Sequence, residues 1–122
     1  MITSGFVELQ DIASFDLFLA EAGNAPQVIF KHSNACGISS RAFAQMALLK
    51  YRVGFVIVQE SRAVSAEIER RFGIVHETPQ VLIVRGGEAL WTASHGQVRV
   101  EAILDALASI PVANSAGGLG EG

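Results

Sequence analysis

The hydrophobic positions of this chain follow two rhythms that take turns along it. Short continuous apolar runs at Phe6 to Leu9, Val28-Ile29-Phe30, Phe55-Val56-Ile57-Val58 and Val81-Leu82-Ile83-Val84 have the pattern of strands, the later ones buried on both faces of a sheet. Between them apolar residues recur at helical spacing: Ile12, Phe15, Phe18, Leu19 and Ala22; then Ile38, Ala42, Met46 and Leu49; then Val64, Ile68 and Phe72; and finally Val100, Ile103, Leu104 and Leu107.

The punctuation fits the rhythm. Asp11 is an N-cap for the first helix and Gly23 its stop, and Pro26 precedes the next strand. The second helix is predicted to run to about Tyr51-Arg52, ahead of Gly54. Ser61 is placed to cap the third helix, which ends on basic Arg70 and Arg71 and then Gly73. Gly86-Gly87, flanked by Val81 to Val84 and Ala89-Leu90-Trp91, is a two-residue hairpin signal. The last helix has no Ser, Thr, Asp or Asn where its cap belongs.

From Pro111 onward the pattern stops. Residues 111–122 are Gly-rich and aperiodic, so a flexible tail is expected after a single domain spanning 1–110. Its glycines follow no strand and open no helix, unlike a phosphate loop.

Composition narrows the function classes. The chain has 122 residues with a formal net charge of -3, and no basic run offers a footprint for nucleic acid or an anionic membrane surface. No stretch approaches transmembrane length, and Met1 to Glu8 lacks the look of a secretory signal. A cytoplasmic protein without nucleic-acid or membrane partners is the expectation. The single cysteine excludes an internal disulfide, and in a reducing compartment it stays a thiol.

That cysteine, Cys36, stands where the Val28-Ile29-Phe30 strand gives way to the second helix. A lone cysteine is most often an inert buried thiol. At a helix N-terminus, however, partial positive charge favours the thiolate, the nucleophilic form. The order strand, helix, strand, helix, strand, helix, hairpin, helix is the thioredoxin-like α/β layout: a central mixed sheet of four to five strands flanked by helices. In that fold a cis-proline before a strand faces the active-site cysteine, and Thr78-Pro79 lies just before the Val81 strand.

The segments Phe30-Lys31-His32-Ser33, Ala35-Cys36-Gly37-Ile38-Ser39, Val58-Gln59, Arg71-Phe72-Gly73-Ile74, His76-Glu77-Thr78-Pro79-Gln80 and Trp91-Thr92-Ala93-Ser94-His95 together resemble the monothiol bacilliredoxins, redox proteins of the bacillithiol system. The resemblance covers about Gly5 to Leu107. It departs at Gly37, where the family usually has Pro, and at Gly96, where a large aromatic is common.

The resemblance implies a monothiol thiol-disulfide oxidoreductase that removes a small thiol such as bacillithiol from S-thiolated cytosolic client proteins. Bacillithiol would be a co-substrate, and no bound cofactor or metal is expected. Cys36 is the expected nucleophile. Ser39 occupies the place of a resolving cysteine, so the resolving thiol must come from outside. Gly37, Ile38 and Ser39 would support the thiolate by hydrogen bonding, the Thr78 backbone would pair with an extended substrate, and Pro79 would pack against the sulfur.

Plainer readings stand beside these. Ser39 is equally an ordinary first-turn hydroxyl. Lys31 could lower the thiol pKa or meet a carboxylate, although a lysine at a strand end is more often solvated. His32, His76 and His95 have no compact ligand spacing for zinc, and His76 is the one expected nearest the active-site face. Trp91 suits hairpin packing, and Arg62, Glu67, Glu69, Arg70 and Arg71 suit a solvated helix face. Two further functions compete. Cys36-Gly37-Ile38-Ser39 also resembles the Cys-Gly-Phe-Ser motif of monothiol glutaredoxins, which implies an iron-sulfur cluster carrier; the other is a non-catalytic thioredoxin-like interaction module.

Overall fold

A computed structural model describes residues 5–34 and 37–111, with the side chain of Ile38 outside that description. Cys36 and residues 112–122 of the expected tail therefore lie outside the described residues. The strands are β1 (Gly5–Glu8), β2 (Gln27–His32), β3 (Arg52–Ile57), β4 (Gln80–Arg85) and β5 (Glu88–Ser94). The helices are α1 (Ile12–Glu21), α2 (Gly37–Ala47), α3 (Arg62–Phe72) and α4 (Val100–Ser109), with a 3-10 turn at His95–Gln97.

The five strands form one mixed sheet in the order β1-β3-β2-β4-β5. β3 is parallel to both β1 and β2, whereas β4 is antiparallel to β2 and β5. This is the α/β, thioredoxin-like arrangement. β2 is central and buried at every position, which is why its sequence reads as an unbroken apolar run.

Alternation along the strands builds two cores. Val28, Phe30, Val53, Phe55, Val81 and Ile83 pack with Ala42 and Met46 of α2 and Ile103 of α4. Ile29, Val56, Leu82 and Val84 face the other way and pack with Phe15 and Phe18 of α1 and Val64 and Ile68 of α3. Gly54 lies where no side chain fits, since a Cβ there would stand 2.8 Å from Phe18 Cε2 and 2.9 Å from Leu9 Cδ1.

α1 starts with a capping box. The Ser14 N–H donates to Asp11 Oδ1 at 2.8 Å and the Asp11 N–H donates to Ser14 Oγ at 3.2 Å. α3 ends on Gly73 in the left-handed region (φ 68°), whose N–H donates to the Glu69 carbonyl at 2.9 Å. Gly86 (φ 65°) and Gly87 turn the β4–β5 hairpin. Trp91 packs half-buried against the α2/α4 core.

The structure corrects several expectations. α2 stops at Ala47 rather than near Tyr51-Arg52, because Arg52 and Val53 pair with Gly5 and Phe6 of β1, and Val53 also with Val28 of β2. Strand pairing outweighs helical periodicity here, and Leu49 is buried beyond the helix end. Ser61 takes the N-cap position of α3 without making a side-chain cap bond. The cap missing from α4 is supplied by another helix: Gln45 Oε1 of α2 accepts the Val100 N–H at 2.9 Å. Leu104 is half-exposed rather than in the core.

Arg71 is more than a solvated charge. It pairs with Asp16 of α1 at 2.7 Å and lies over the Phe15 ring at 4.9 Å, so it ties α3 to α1. Pro111, the first residue of the expected tail, is held by Arg85, whose Nη1 donates to its carbonyl at 2.8 Å. Among the described residues no helix is long and apolar enough to cross a membrane.

Candidate functional site

The sheet brings two distant parts of the chain together. Lys31 pairs in register with Gln80, so Thr78-Pro79, which leads into β4, lies beside the end of β2 and the start of the loop that carries Cys36. The Thr78–Pro79 peptide bond is cis, Pro79 is buried, and its carbonyl accepts the His95 N–H at 2.8 Å.

The loop between β2 and α2 is closed at its base. The Ser33 N–H donates to Ser39 Oγ at 3.2 Å, and Ser39 is fully buried. Ser39 thus acts as an acceptor that ties the loop ends together, a role the sequence does not suggest. Gly37 opens α2 and is exposed. The first amides of an α-helix have no intrahelical carbonyl partner, so the end of α2 nearest Cys36 in sequence offers donors and partial positive charge.

A second tie comes from Gln59, in the turn after β3. Its Nε2 donates to Ser33 Oγ at 2.7 Å, and its Oε1 accepts the Asn34 N–H at 3.3 Å. One carboxamide holds two consecutive loop residues. Val58-Gln59 belongs to the resemblance, yet nothing in the sequence assigned it a role; its position directly after a strand that ends at the same sheet edge is the signal that could have found it.

Lys31 is fully buried, contrary to the solvated reading. Its Nζ donates to Gln80 Oε1 at 3.0 Å, and Gln80 Nε2 donates to the Val75 carbonyl at 3.0 Å. Burial pulls the ammonium pKa down to about 8, partly opposed by the negative charges of Glu69 and Glu77.

His32, next along β2, packs in the other core. Its ring centroid lies 5.3 Å from Phe43, 5.6 Å from Phe55 and 5.7 Å from Phe30. Among the described residues Nδ1 is buried without a hydrogen-bond partner, and desolvation lowers its pKa. The other histidines have separate surroundings. His76 Nδ1 is 3.1 Å from Ser65 Oγ, and its pKa is lowered by desolvation first and by Lys31 second. His95 Nδ1 is 3.4 Å from Glu77.

A groove of about 470 Å³ opens beside this edge. Ser33 and Thr78 line it together with His76, which does reach this face; Val58 and Gln59 and, from α3, Arg62, Ser65, Ala66 and Glu69 form the rest of its walls. Arg62 and Glu69 therefore border the site rather than only a solvated helix face.

Comparison with known proteins agrees with this geometry. The family model for monothiol bacilliredoxin BrxC matches residues 7–103. A solved structure described as a candidate oxidoreductase with a thioredoxin fold is 28% identical, with a TM-score of 0.76 over 83% of this chain and 92% of its own. Oxidised mitochondrial thioredoxin 3 from Saccharomyces cerevisiae is 16% identical, with a TM-score of 0.67 over 86% of this chain and 95% of its own. Thioredoxin from Trypanosoma brucei brucei is 14% identical, with a TM-score of 0.69 over 86% and 89% of the two chains. The last two likenesses concern the fold.

Proposed function

The chain belongs to the monothiol bacilliredoxin family, and on that premise we propose that Cys36 is the nucleophile of a one-cysteine exchange that removes a small thiol, bacillithiol or a close analogue, from mixed disulfides on other proteins. The observation that carries this reading is the family match across residues 7–103, which spans Cys36 and Ser39.

The Cys36 thiolate attacks the small-thiol sulfur of the mixed disulfide. That disulfide breaks, its electron pair leaves on the client sulfur, and the client thiolate takes up a proton. Cys36 is now joined to the small thiol. A second small-thiol thiolate attacks the small-thiol sulfur of this new disulfide and returns Cys36 as a thiolate. The client sulfur is reduced to a thiol, the incoming small thiol is oxidised as it joins the one taken from the client, and the two leave as a small-thiol disulfide, so electrons and protons balance. With Ser39 three residues on, the second thiol has to come from solution or from a partner protein.

The chain's own residues supply positioning. On this reading the amides of Gly37 and Ile38, at the open start of α2 directly after Cys36 in sequence, supply donors that favour its thiolate. Thr78 offers backbone groups to an extended client segment, and Pro79 limits access to the sulfur. Lys31 adds positive charge from beneath the site, and His76 borders the path along which a ligand would lie.

Mass spectrometry after mixing the reduced protein with oxidised bacillithiol or oxidised glutathione tests the reading. The expected product carries one small thiol on Cys36, and Cys36→Ser fails to release a small thiol from a thiolated model protein. A Cys36→Ser variant that releases it at the native rate overturns the proposal.

A further inference from the structure

We propose that the groove along α3 is the subsite for the non-reacting part of the small thiol, and that it selects a dipolar ligand carrying a carboxylate toward Arg62 and a cationic amine toward Glu69. This rests on the reading of Cys36 as the exchanging nucleophile.

Ser33, three residues before Cys36 in sequence, and Thr78, which leads into the strand paired with β2, both line the groove, so it adjoins the described ends of the segments that meet at the Cys36 loop. Its volume of about 470 Å³ falls within the roughly 300–1,000 Å³ usual for small-molecule sites. Arg62 and Glu69 both line it, and among the described residues neither side chain has a hydrogen-bond or ion-pair partner. The other charges of the same helix do: Glu67 pairs with Arg70 and Arg71, and Arg71 also with Asp16. Among the described residues, the two α3 charges without a directly bonded partner are those that line the groove, while the field of Glu69 also acts on Lys31 and His76.

Their arrangement defines the ligand. Seven residues along a helix are about two turns, or roughly 10 Å, so the positive and negative ends are set apart on one wall. A guanidinium matches a carboxylate in two parallel hydrogen bonds, and Arg62 as the first residue of α3 adds to the positive end of that helix. Between the ends, the Ser65 hydroxyl and His76 offer neutral polar groups suited to amides or hydroxyls. Lys31 lies deeper with its Nζ bonded to Gln80, so it is a background charge rather than a partner for Glu69. A ligand of one sign only would meet repulsion at one end.

The test uses the full chain and single-turnover release from one model peptide thiolated in turn with glutathione, with bacillithiol, and with neutral 2-mercaptoethanol. The quantity followed is the ratio of each charged-thiol rate to the 2-mercaptoethanol rate. Arg62→Ala and Glu69→Ala should each lower that ratio roughly three- to tenfold, and exchanging the two charges, Arg62→Glu with Glu69→Arg, should lower it further. An unchanged ratio in all three variants, with the wild-type protein active, overturns the groove assignment while leaving Cys36 as nucleophile. Wild-type protein that releases none of the three thiols overturns both.

Discussion

Gln59 holds Ser33 through a 2.7 Å hydrogen bond from its carboxamide nitrogen to the serine hydroxyl, and with its oxygen it accepts the next backbone amide. The start of the Cys36 loop is therefore fixed to the turn after β3. Gln59→Leu removes both bonds and should slow exchange at Cys36 about tenfold. It should also move the pH profile of Cys36 alkylation upward, because loosened loop amides stabilise a thiolate less well. Gln59→Glu keeps the acceptor for Asn34 and should recover part of the rate. Identical profiles for wild type and Gln59→Leu would remove the positioning role.

Lys31 predicts an alkaline gain in stability. Unfolded, its ammonium titrates near 10.5; folded, near 8. Between those values the unfolded chain holds a proton that the folded chain has released, so stability rises with pH across that window, by on the order of 3 kcal/mol from this group. Urea unfolding at pH 7.5, 9 and 10 measures it. Lys31→Met should flatten the rise, and equal slopes for both proteins would contradict the assignment.

His32 predicts the opposite edge. Its folded pKa lies below the ordinary 6.5 because of burial, so as pH falls through 6.5 the unfolded chain gains a proton first and stability declines. His32→Phe places a fourth ring among Phe30, Phe43 and Phe55 and removes that term. The difference in melting temperature between pH 7.5 and pH 5 should be smaller for the variant than for wild type.

Gly54→Ala should cost about 1–3 kcal/mol, since its methyl meets Phe18 and Leu9 at less than a normal contact distance. Phe18→Leu removes one of the two obstructions, so the Gly54→Ala cost measured in that background should be smaller. Equal costs in both backgrounds would mean that the strain is relieved elsewhere.

Much of the fold was legible in the sequence because each element carries its own period. The capping box at Asp11, the Gly73 stop and the Gly86-Gly87 hairpin are local chemistry, and local chemistry is what a single sequence displays. The sequence alone carries α2 too far, because Arg52 and Val53 answer to β1 and β2, which are distant in sequence. The cap of α4 was invisible for the same reason: Gln45 provides it from 55 residues away. Thr78-Pro79 and His76 could be placed at the site through the strand they precede. Gln59 and the buried state of Lys31 could not, because both depend on which sheet edge and which face the surrounding chain covers.

Ser39 ties the loop's structure to the one-cysteine chemistry. Its oxygen is enclosed and already engaged by the Ser33 amide. A sulfur in its place would be a bulkier and weaker acceptor, and the loop would lose its knot before any second thiol became useful. Conversion between one-thiol and two-thiol versions of this protein is thus more than a single-letter change. Ser39→Cys would therefore weaken the Ser33–Ser39 tie and leave Gln59 as the main restraint on the start of the loop.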